Sequence, residues 1–533
     1  MNGNCTPETP LEESQTKPLV VSSHDRYTVG ETTGGLSVLF TILCIVDLFG
    51  VFPVIALPKS VISCGIYGIP LVLSVVGLQL YTAALLGRCW LLAKEITPII
   101  SEKNRSPYAA VAQLAFGDPA RRLVIFLIDA TVFGSGVPNF ILAAQSLQIF
   151  WWKISGGNVG VTYCIWMIVL ALLLCPIMWL GSPKDMKPLA LTSVFIVTTV
   201  AVSTWTCIIQ DDVSPVSTGT ILEYQPHAPD FLIAYGILAF QFDIHPMLLT
   251  IQVDMRDSKK VNKAVLGGFA ITGFMFTTTA FLVATRYGQD VTNNILQTIP
   301  PSIPLYLVAL LVTLQLCLSS AVSNSALFQH IEDLLQIPRN FCIQRCLIRS
   351  SVVAVAVFLA ETVPRFDLVM GLVGSTLTGP LMFIFPPLFF LKLCYLKSKK
   401  DITESQNAYS NNATNGSLDS QKSKLNKIET SGSSHQNGVV TVIQNGENVN
   451  PSLYTKYKTF SRDYAEMGKE DEYTIKWYDI VLALVVMTLG IAATVIATYC
   501  SWAHSIEYAE FSPPCLLNAT IAARSFLESQ MAL

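Results

Sequence analysis

Charge is scarce in this chain. Only 13% of its 533 residues are Asp, Glu, Lys or Arg, about half the share usual in water-soluble domains, while 51% are apolar. No aqueous fold could hide that much apolar surface, so a soluble globular protein is excluded. Neither sign of charge dominates: the net charge is -3, and no basic stripe is interleaved with aromatics, which excludes nucleic acid as a partner. Histidine is rare as well. None of the 6 histidines begins a His-x-x-x-x-Asp or His-Glu-x-x-His pattern, and no nucleotide loop is present, so the chain does not read as an enzyme and implies no cofactor.

The 13 cysteines do not form a disulfide framework. Cys44, Cys164, Cys175, Cys207 and Cys317 sit inside apolar runs, where a thiol behaves as a small hydrophobe. Cys342 and Cys346 have no second pair or nearby histidine to complete a zinc site. Residues 1–33 lack the apolar core of a cleavable signal and carry Glu8, Glu12, Glu13, Asp25 and Glu31. This segment is expected to be disordered and cytosolic.

What the chain has in quantity is apolar runs of bilayer length. Eleven spans are predicted, at 35–62, 66–92, 122–150, 161–181, 188–209, 231–251, 264–286, 304–328, 347–362, 367–396 and 477–502. They group as a five-helix block over 34–209, a second over 231–396, and an eleventh helix over 477–504. The connection at 210–230 holds Asp211, Asp212, Glu223 and Asp230 but no Lys or Arg. Residues 397–476 turn abruptly to Asn, Ser, Gly, Lys and Thr, too little apolar surface to offset the entropy of ordering. They read as a disordered cytosolic loop, either a bare spacer or a contact for a cytosolic partner. A tail at 505–533 closes the chain.

Lys and Arg near span ends stay on the cytosolic side during insertion. With the N-terminus cytosolic, the inner connections carry Arg88, Lys94, Lys103, Arg105, Arg121 and Arg122, then Lys184 and Lys187. Arg256, Lys259, Lys260 and Lys263 follow, then Arg339, Arg345 and Arg349. The opposite face has far fewer basic residues, with Lys153, Arg286, Arg365 and Arg524. Eleven spans then put the C-terminus outside or in a lumen, where Asn518-Ala519-Thr520 is a usable glycosylation acceptor. The sequons at Asn412 and Asn415 fall on the cytosolic loop.

Unwound backbone survives in a bilayer only where protein buries it or it lines a watery cavity. The first span is interrupted by Gly50, Val51, Phe52 and Pro53, with Pro58 beyond; the sixth reads Phe240-Gln241-Phe242-Asp243-Ile244-His245-Pro246. Pro246 cannot donate its backbone bond and drives His245 out of helical geometry. Broken helices at corresponding places in two five-helix halves are the mark of inverted-repeat transporters, with substrate bound at the breaks. There the bare amides of a half-helix suit a carboxylate, and freed carbonyls suit an ammonium or a cation. Substrate contacts are expected from Gly50, Val51, Phe52, Pro53, Phe240, Gln241 and Phe242.

Ionisable residues at depth are Asp47, Asp129, Asp243 and His245, with Glu361 nearer an edge. Such groups face cavities and often relay protons or bind ions, so Asp243, His245 and Asp47 are candidates for ion coupling, against the plainer reading that they shape the break. Asp129 precedes a small-residue stretch from Phe133 to Pro138 and reads as packing. Ser319 and Ser320, within Leu318 to Ser325, complete a sodium site or bond harmlessly to their own helix. The driving ion, proton or sodium, stays open.

These residues resemble the amino acid/auxin permease family from about Gly34 to His504. The likeness rests on Ile55-Ala56-Leu57-Pro58, on Phe240 to His245 followed by Ile251-Gln252 and Met255, and on Tyr287-Gly288. Val363-Pro364-Arg365-Phe366, Met370 to Ser375 and Pro386-Pro387-Leu388-Phe389 look nearest the vesicular inhibitory amino acid transporter branch. The resemblance implies an all-α polytopic fold of eleven helices, a five-plus-five inverted repeat like that of the sodium-coupled leucine transporter, plus one. It also implies an amino acid substrate, moved by alternating access with protons or sodium. Val51-Phe52-Pro53 replaces the family's glycine-rich turn, and Asp47 stands where Asn is common, so a membrane sensor signalling through 397–476 is the alternative. The membrane itself, plasma membrane, vesicle or lysosome, is not readable from the spans.

Overall fold

Each apolar run closes its backbone hydrogen bonds within itself as a helix, the only open-ended solution in hydrocarbon. The structure is a computed structural model. It describes residues 35–403, 406 and 477–508, except 102–105, 156–162, 180–185, 213–215, 217–223, 338–341 and 364. Residues 1–33, most of 397–476, the tail beyond 508 and the three sequons lie outside the described residues.

The elements in chain order are α1 (Val38–Phe49), α2 (Phe52–Ile55), α3 (Leu57–Ile62), α4 (Gly68–Ile96), α5 (Pro107–Phe116), α6 (Asp118–Ile154), α7 (Tyr163–Trp179) and α8 (Met186–Gln210). Then come α9 (Ala228–Gln241), α10 (His245–Asp254), α11 (Val261–Arg286), α12 (Ile295–Thr298), α13 (Ile303–Leu334), α14 (Ile343–Thr362), α15 (Phe366–Val373) and α16 (Trp477–Tyr508). Among the described residues, 9 helical stretches are long and apolar enough to cross a membrane. The other two predicted spans, the first and the fourth, appear as the shorter apolar helices Val38–Phe49 and Tyr163–Trp179. The first is short because it stops at the predicted break.

The described chain forms two compact units, residues 1–393 with 484–533 and residues 394–483. In the second, helix continues to Thr403, past the position 397 at which the loop was expected to begin. Its polar residues Lys397 and Asp479 are buried.

In the first unit, α13 lies along α6 and α8, and α1 lies against α11. The α9 and α15 backbones approach through glycine: a Cβ on Gly374 would overlap the carbonyl oxygen of Gly236, the small-residue contact by which membrane helices come close. Beyond α15 the same helix widens into π turns at Gly374–Thr378 and Pro380–Ile384. Cys164, expected to be a free thiol, is disulfide-bonded; it stands at the very start of α7, next to residues 156–162 and away from the helix interior.

One expectation from the charge pattern changes character. Arg349 was counted among the basic residues at a cytosolic connection, but its side chain is 1% exposed. Its Nε donates to Glu332 Oε1 at 2.6 Å, Arg345 Nε donates to the same oxygen at 3.1 Å, and Arg349 also reaches the Met178 carbonyl. The guanidinium lies 5.2 Å from the Phe328 ring centroid. One carboxylate thus anchors α13 to α14, and Arg349 carries the tie on to α7.

Glu332→Gln strands a buried cation, which costs about 3–5 kcal/mol. Thermal unfolding in detergent should register a large loss, partly recovered when Arg349→Met is added. Gly374→Ala should destabilise comparably, and a wild-type melting temperature for it would contradict the close approach of α9 and α15.

Candidate functional site

Both breaks follow from prolines that withdraw a donor. In an unbroken helix the Phe49 carbonyl would accept from the amide of residue 53, but Pro53 has none. α1 accordingly ends at Phe49, and Gly50 turns through φ 59°, ψ -147°, a backbone region that glycine enters without strain. α2 restarts at Phe52 with Pro53 in its first turn. Pro58 sits in the same way in the first turn of α3. In the sixth span Pro246 withdraws the donor from Phe242, α9 ends at Gln241, and α10 restarts at His245.

The two breaks meet. Gln241 Nε2 donates to the freed Phe49 carbonyl at 2.7 Å. The Phe49 and Phe242 rings pack edge to face at 5.4 Å, and both contact Phe269, at 5.0 and 6.0 Å. The far ends of the same elements are also joined: Leu36 N donates to Asp254 O at 2.8 Å, and Arg256 N to Leu36 O at 3.0 Å. α1 is therefore tied to α9 at the break and to α10 at its far end.

Beside the breaks lies a cavity of about 120 Å³, below the ~300 Å³ at which pockets for drug-sized ligands begin. It suits a small solute. Of the predicted residues, Gly50, Phe52, Phe240, Gln241, Asp243 and Ser319 line it. Val51, Pro53 and Phe242 are buried beside it and hold the break. Asp47 does not border it, but hydrogen-bonds Ser193, which in turn accepts from Gln315 Nε2 at 3.3 Å. Ser320 is buried and accepts from Asn139 Nδ2 at 3.2 Å.

Asp243 divides its carboxylate between two tasks. Oδ1 accepts the His245 amide at 3.0 Å and stands 3.1 Å from His245 Nδ1, while Oδ2 is buried without a hydrogen-bond partner. His245 is fully buried behind the cavity, its Nε2 3.0 Å from Thr82 Oγ1. Thr82 Oγ1 has the Leu78 and Gln79 carbonyls at 3.0 and 3.2 Å. A hydroxyl has one proton to give. With that proton on a carbonyl, Nε2 donates to Thr82, and Nδ1 faces Oδ1 across a gap that needs a proton of its own.

The site holds residues the sequence reading did not single out. Gln315 is fully buried with Oε1 unpartnered, directly against Gly50, where an added Cβ would sit 3.1 Å from its Nε2. Its signal was present: an amide alone in the apolar stretch Leu314-Gln315-Leu316. Asn139 follows Pro138 in α6, a comparable cue. Thr82 had none, since a threonine bonded to its own helix is ordinary. Asp129, read as a packing residue, pairs with His330 across α6 and α13.

The arrangement can hold a small zwitterion. Asp243 Oδ2 and Gln315 Oε1 are acceptors without partners, and Leu48, Phe49, Val132 and Leu316 supply apolar wall.

Comparison with known proteins bears on the same stretch. Residues 36–406 match the sequence profile of the family described as transmembrane amino acid transporter protein. Amino acid transporter AVT1B of Arabidopsis thaliana is 23% identical over 405 residues, 74% of this chain and 70% of that protein. Sodium-coupled neutral amino acid transporter 4 of Pongo abelii is 28% identical over 170 residues, 30% of each chain. Among solved structures, MhsT in complex with L-phenylalanine aligns at a TM-score of 0.43 and 12% identity, over 68% of this chain and 96% of that one. With the profile running from the start of α1 past α15, and both interrupted helices inside it, the chain belongs to the transmembrane amino acid transporter family.

Proposed function

We propose that this protein is a secondary active transporter of small zwitterionic amino acids, working by alternating access and driven by protons carried on Asp243 and His245. The observation that carries the reading is the meeting of the two breaks at one cavity, with a buried carboxylate oxygen left free there. A substrate ammonium would face Asp243 Oδ2 and Gln315 Oε1, and its carboxylate the backbone of the break at 50–52.

Protons are favoured over sodium by the Asp243–His245–Thr82 line. Its hydrogen bonds leave a place for one proton between Nδ1 and Oδ1, and both flanking groups exchange protons readily. On the charge-based orientation the N-terminus is cytosolic, and α1 and α10 lie on the cytosolic side of the breaks. The sides of the bundle would then take turns exposing the cavity.

Proteoliposome uptake of the radiolabelled standard L-amino acids, under imposed pH or sodium gradients, tests this. Saturable uptake of at least one amino acid that follows the pH gradient is expected. Uptake that follows sodium and ignores pH would overturn the proton assignment. His245→Gln should reduce gradient-driven uptake at least tenfold while substrate exchange at equal pH persists, because the pocket keeps its shape but loses its exchangeable proton; Asp243→Asn, which also removes the partner of the ammonium, should reduce both. If Asp243→Asn keeps the wild-type pH response, the carboxylate only shapes the break. Gln241→Leu leaves the Phe49 carbonyl bare at a cost of about 1–3 kcal/mol, and should lower both uptake and melting temperature.

A further inference from the structure

The connection between α10 and α11 carries positive charge that the fold leaves unpaired. From Asp254 to Lys263 the chain sets Arg256, Lys259, Lys260 and Lys263 against two acids, Asp254 and Asp257, and all four cations are exposed. Asp257 is occupied within the turn. Its Oδ2 pairs with Lys260 Nζ at 3.0 Å, and its Oδ1 accepts the Lys259 amide at 3.1 Å. The hydrogen bond from Lys260 holds the Asp257 carboxyl below the usual carboxylate range. Arg256, Lys259 and Lys263 are left without an ion-pair partner among the described residues. Arg345 and Arg349, by contrast, are both turned inward onto Glu332.

Helix geometry puts two of these cations at the head of a lipid-facing line. Ser258–Arg286 is one helical stretch, long and apolar enough to cross a membrane. Along it Lys259, Lys263, Leu266, Ala270 and Phe274 follow one another at intervals of three or four and are all exposed, so they share one face. Leu266, Phe274 and, farther on, Phe281 are 61%, 66% and 67% exposed, as acyl chains require. Lys263 and Arg286 stand about 35 Å apart along the helix axis, against ~30 Å of hydrocarbon. Lys263 is therefore at the level of lipid phosphates, and Lys259, one turn away, is close enough to meet the same headgroup. Arg256 marks the joint of α1 and α10: its amide donates to the Leu36 carbonyl at 3.0 Å, and a Cβ on Gly35 would overlap its backbone.

We infer that Arg256, Lys259 and Lys263 form a docking surface for the phosphate-bearing headgroups of anionic lipids, in the cytosolic leaflet on the charge-based orientation. The occupant is a lipid because the cations head a face immersed in acyl chains, and a lipid phosphate is the anion the bilayer presents at that depth. The lysine stems lie along the apolar face while the ammonium groups reach the phosphates. A lipid held there grips the joint of α1 and α10, so leaflet composition bears on the half-helices that frame the breaks. The surface itself does not depend on the transport reading.

The full chain in phosphatidylcholine vesicles, given a trace of phosphatidylserine or phosphatidylcholine with a photoactivatable group near the headgroup, tests this without any transport. Labelling of the peptide spanning 254–266 is read by mass spectrometry. The serine lipid should label it at least about fivefold more than the choline lipid, and molar salt should bring the two close to parity. Arg256→Gln, Lys259→Gln and Lys263→Gln together should remove the preference. Arg121→Gln with Arg122→Gln, which takes two exposed cations from the start of α6, should leave it intact. Equal labelling by the two lipids, or equal loss in both variants, would overturn the docking surface in favour of diffuse surface charge. Displacement of the serine lipid by millimolar inorganic phosphate, or by a polyglutamate peptide, would overturn the assignment to lipid. The salt response of the unaltered chain decides the matter if the triple variant fails to fold.

Discussion

The hydrogen bond from Gln241 to the Phe49 carbonyl is the contact on which the rest of the arrangement turns. Two helices give up part of their backbone pairing in a region without water, and each orphaned group must find a partner or a solute. Pro53 creates the orphan carbonyl in one span, and the last residue of α9 supplies the donor from the other. Neither interruption would be tolerable alone. Together they leave a gap whose remaining unpaired atoms, Asp243 Oδ2 and Gln315 Oε1, point to something that comes and goes.

The same logic sorts the bundle into parts. α1 is tied to α9 at the break by that bond and to α10 at its far end through Leu36, Asp254 and Arg256. α13 lies along α6 and α8, and Glu332 with Arg349 binds α13 to α14 and α7. On the proposed alternating-access reading, the short half-helices are the element that rocks, and the long helices tied through Glu332 and Arg349 are the frame that resists. The aromatic contacts among Phe49, Phe242 and Phe269 supply a surface on which such motion can slide without opening a void.

Much of this was legible before any coordinates. The run lengths gave the helices, and Pro53 and Pro246, each near a glycine or polar residues, marked the breaks, whereas Pro138 and Pro176 lie inside continuous helices. The share of the predicted pocket that lines the cavity follows the same rule: Gly50, Phe52, Phe240 and Gln241 are where backbone is cut. What stayed illegible was direction. A break names the residues around it but not which way they face, so Phe242 packs into the aromatic cluster while its neighbour Gln241 reaches across the cavity. Charge near a span end was equally ambiguous. Arg349 satisfies the inside-positive pattern and yet is buried, because Glu332 arrives from seventeen residues away to meet it. Partners distant in sequence, such as Gln315 against Gly50 or Thr82 against His245, could not be paired by spacing at all.

On the proposed proton reading, coupling and helix geometry belong to one residue, Asp243. Its Oδ1 holds the first amide of α10 at 3.0 Å while Oδ2 stands free at the cavity. A carboxylate accepts a stronger hydrogen bond than a neutral acid does. Charge on Asp243 therefore decides how firmly α10 is capped, and α10 is the element tied to α1. On the proposed proton reading, adding a proton loosens the cap just as it removes the negative charge a substrate ammonium would seek. Linkage then runs both ways: a bound ammonium favours the deprotonated, tightly capped state, and release of the cap favours proton uptake. No separate gate residue is needed to connect ion and substrate, because the residue that ends the break also carries the charge.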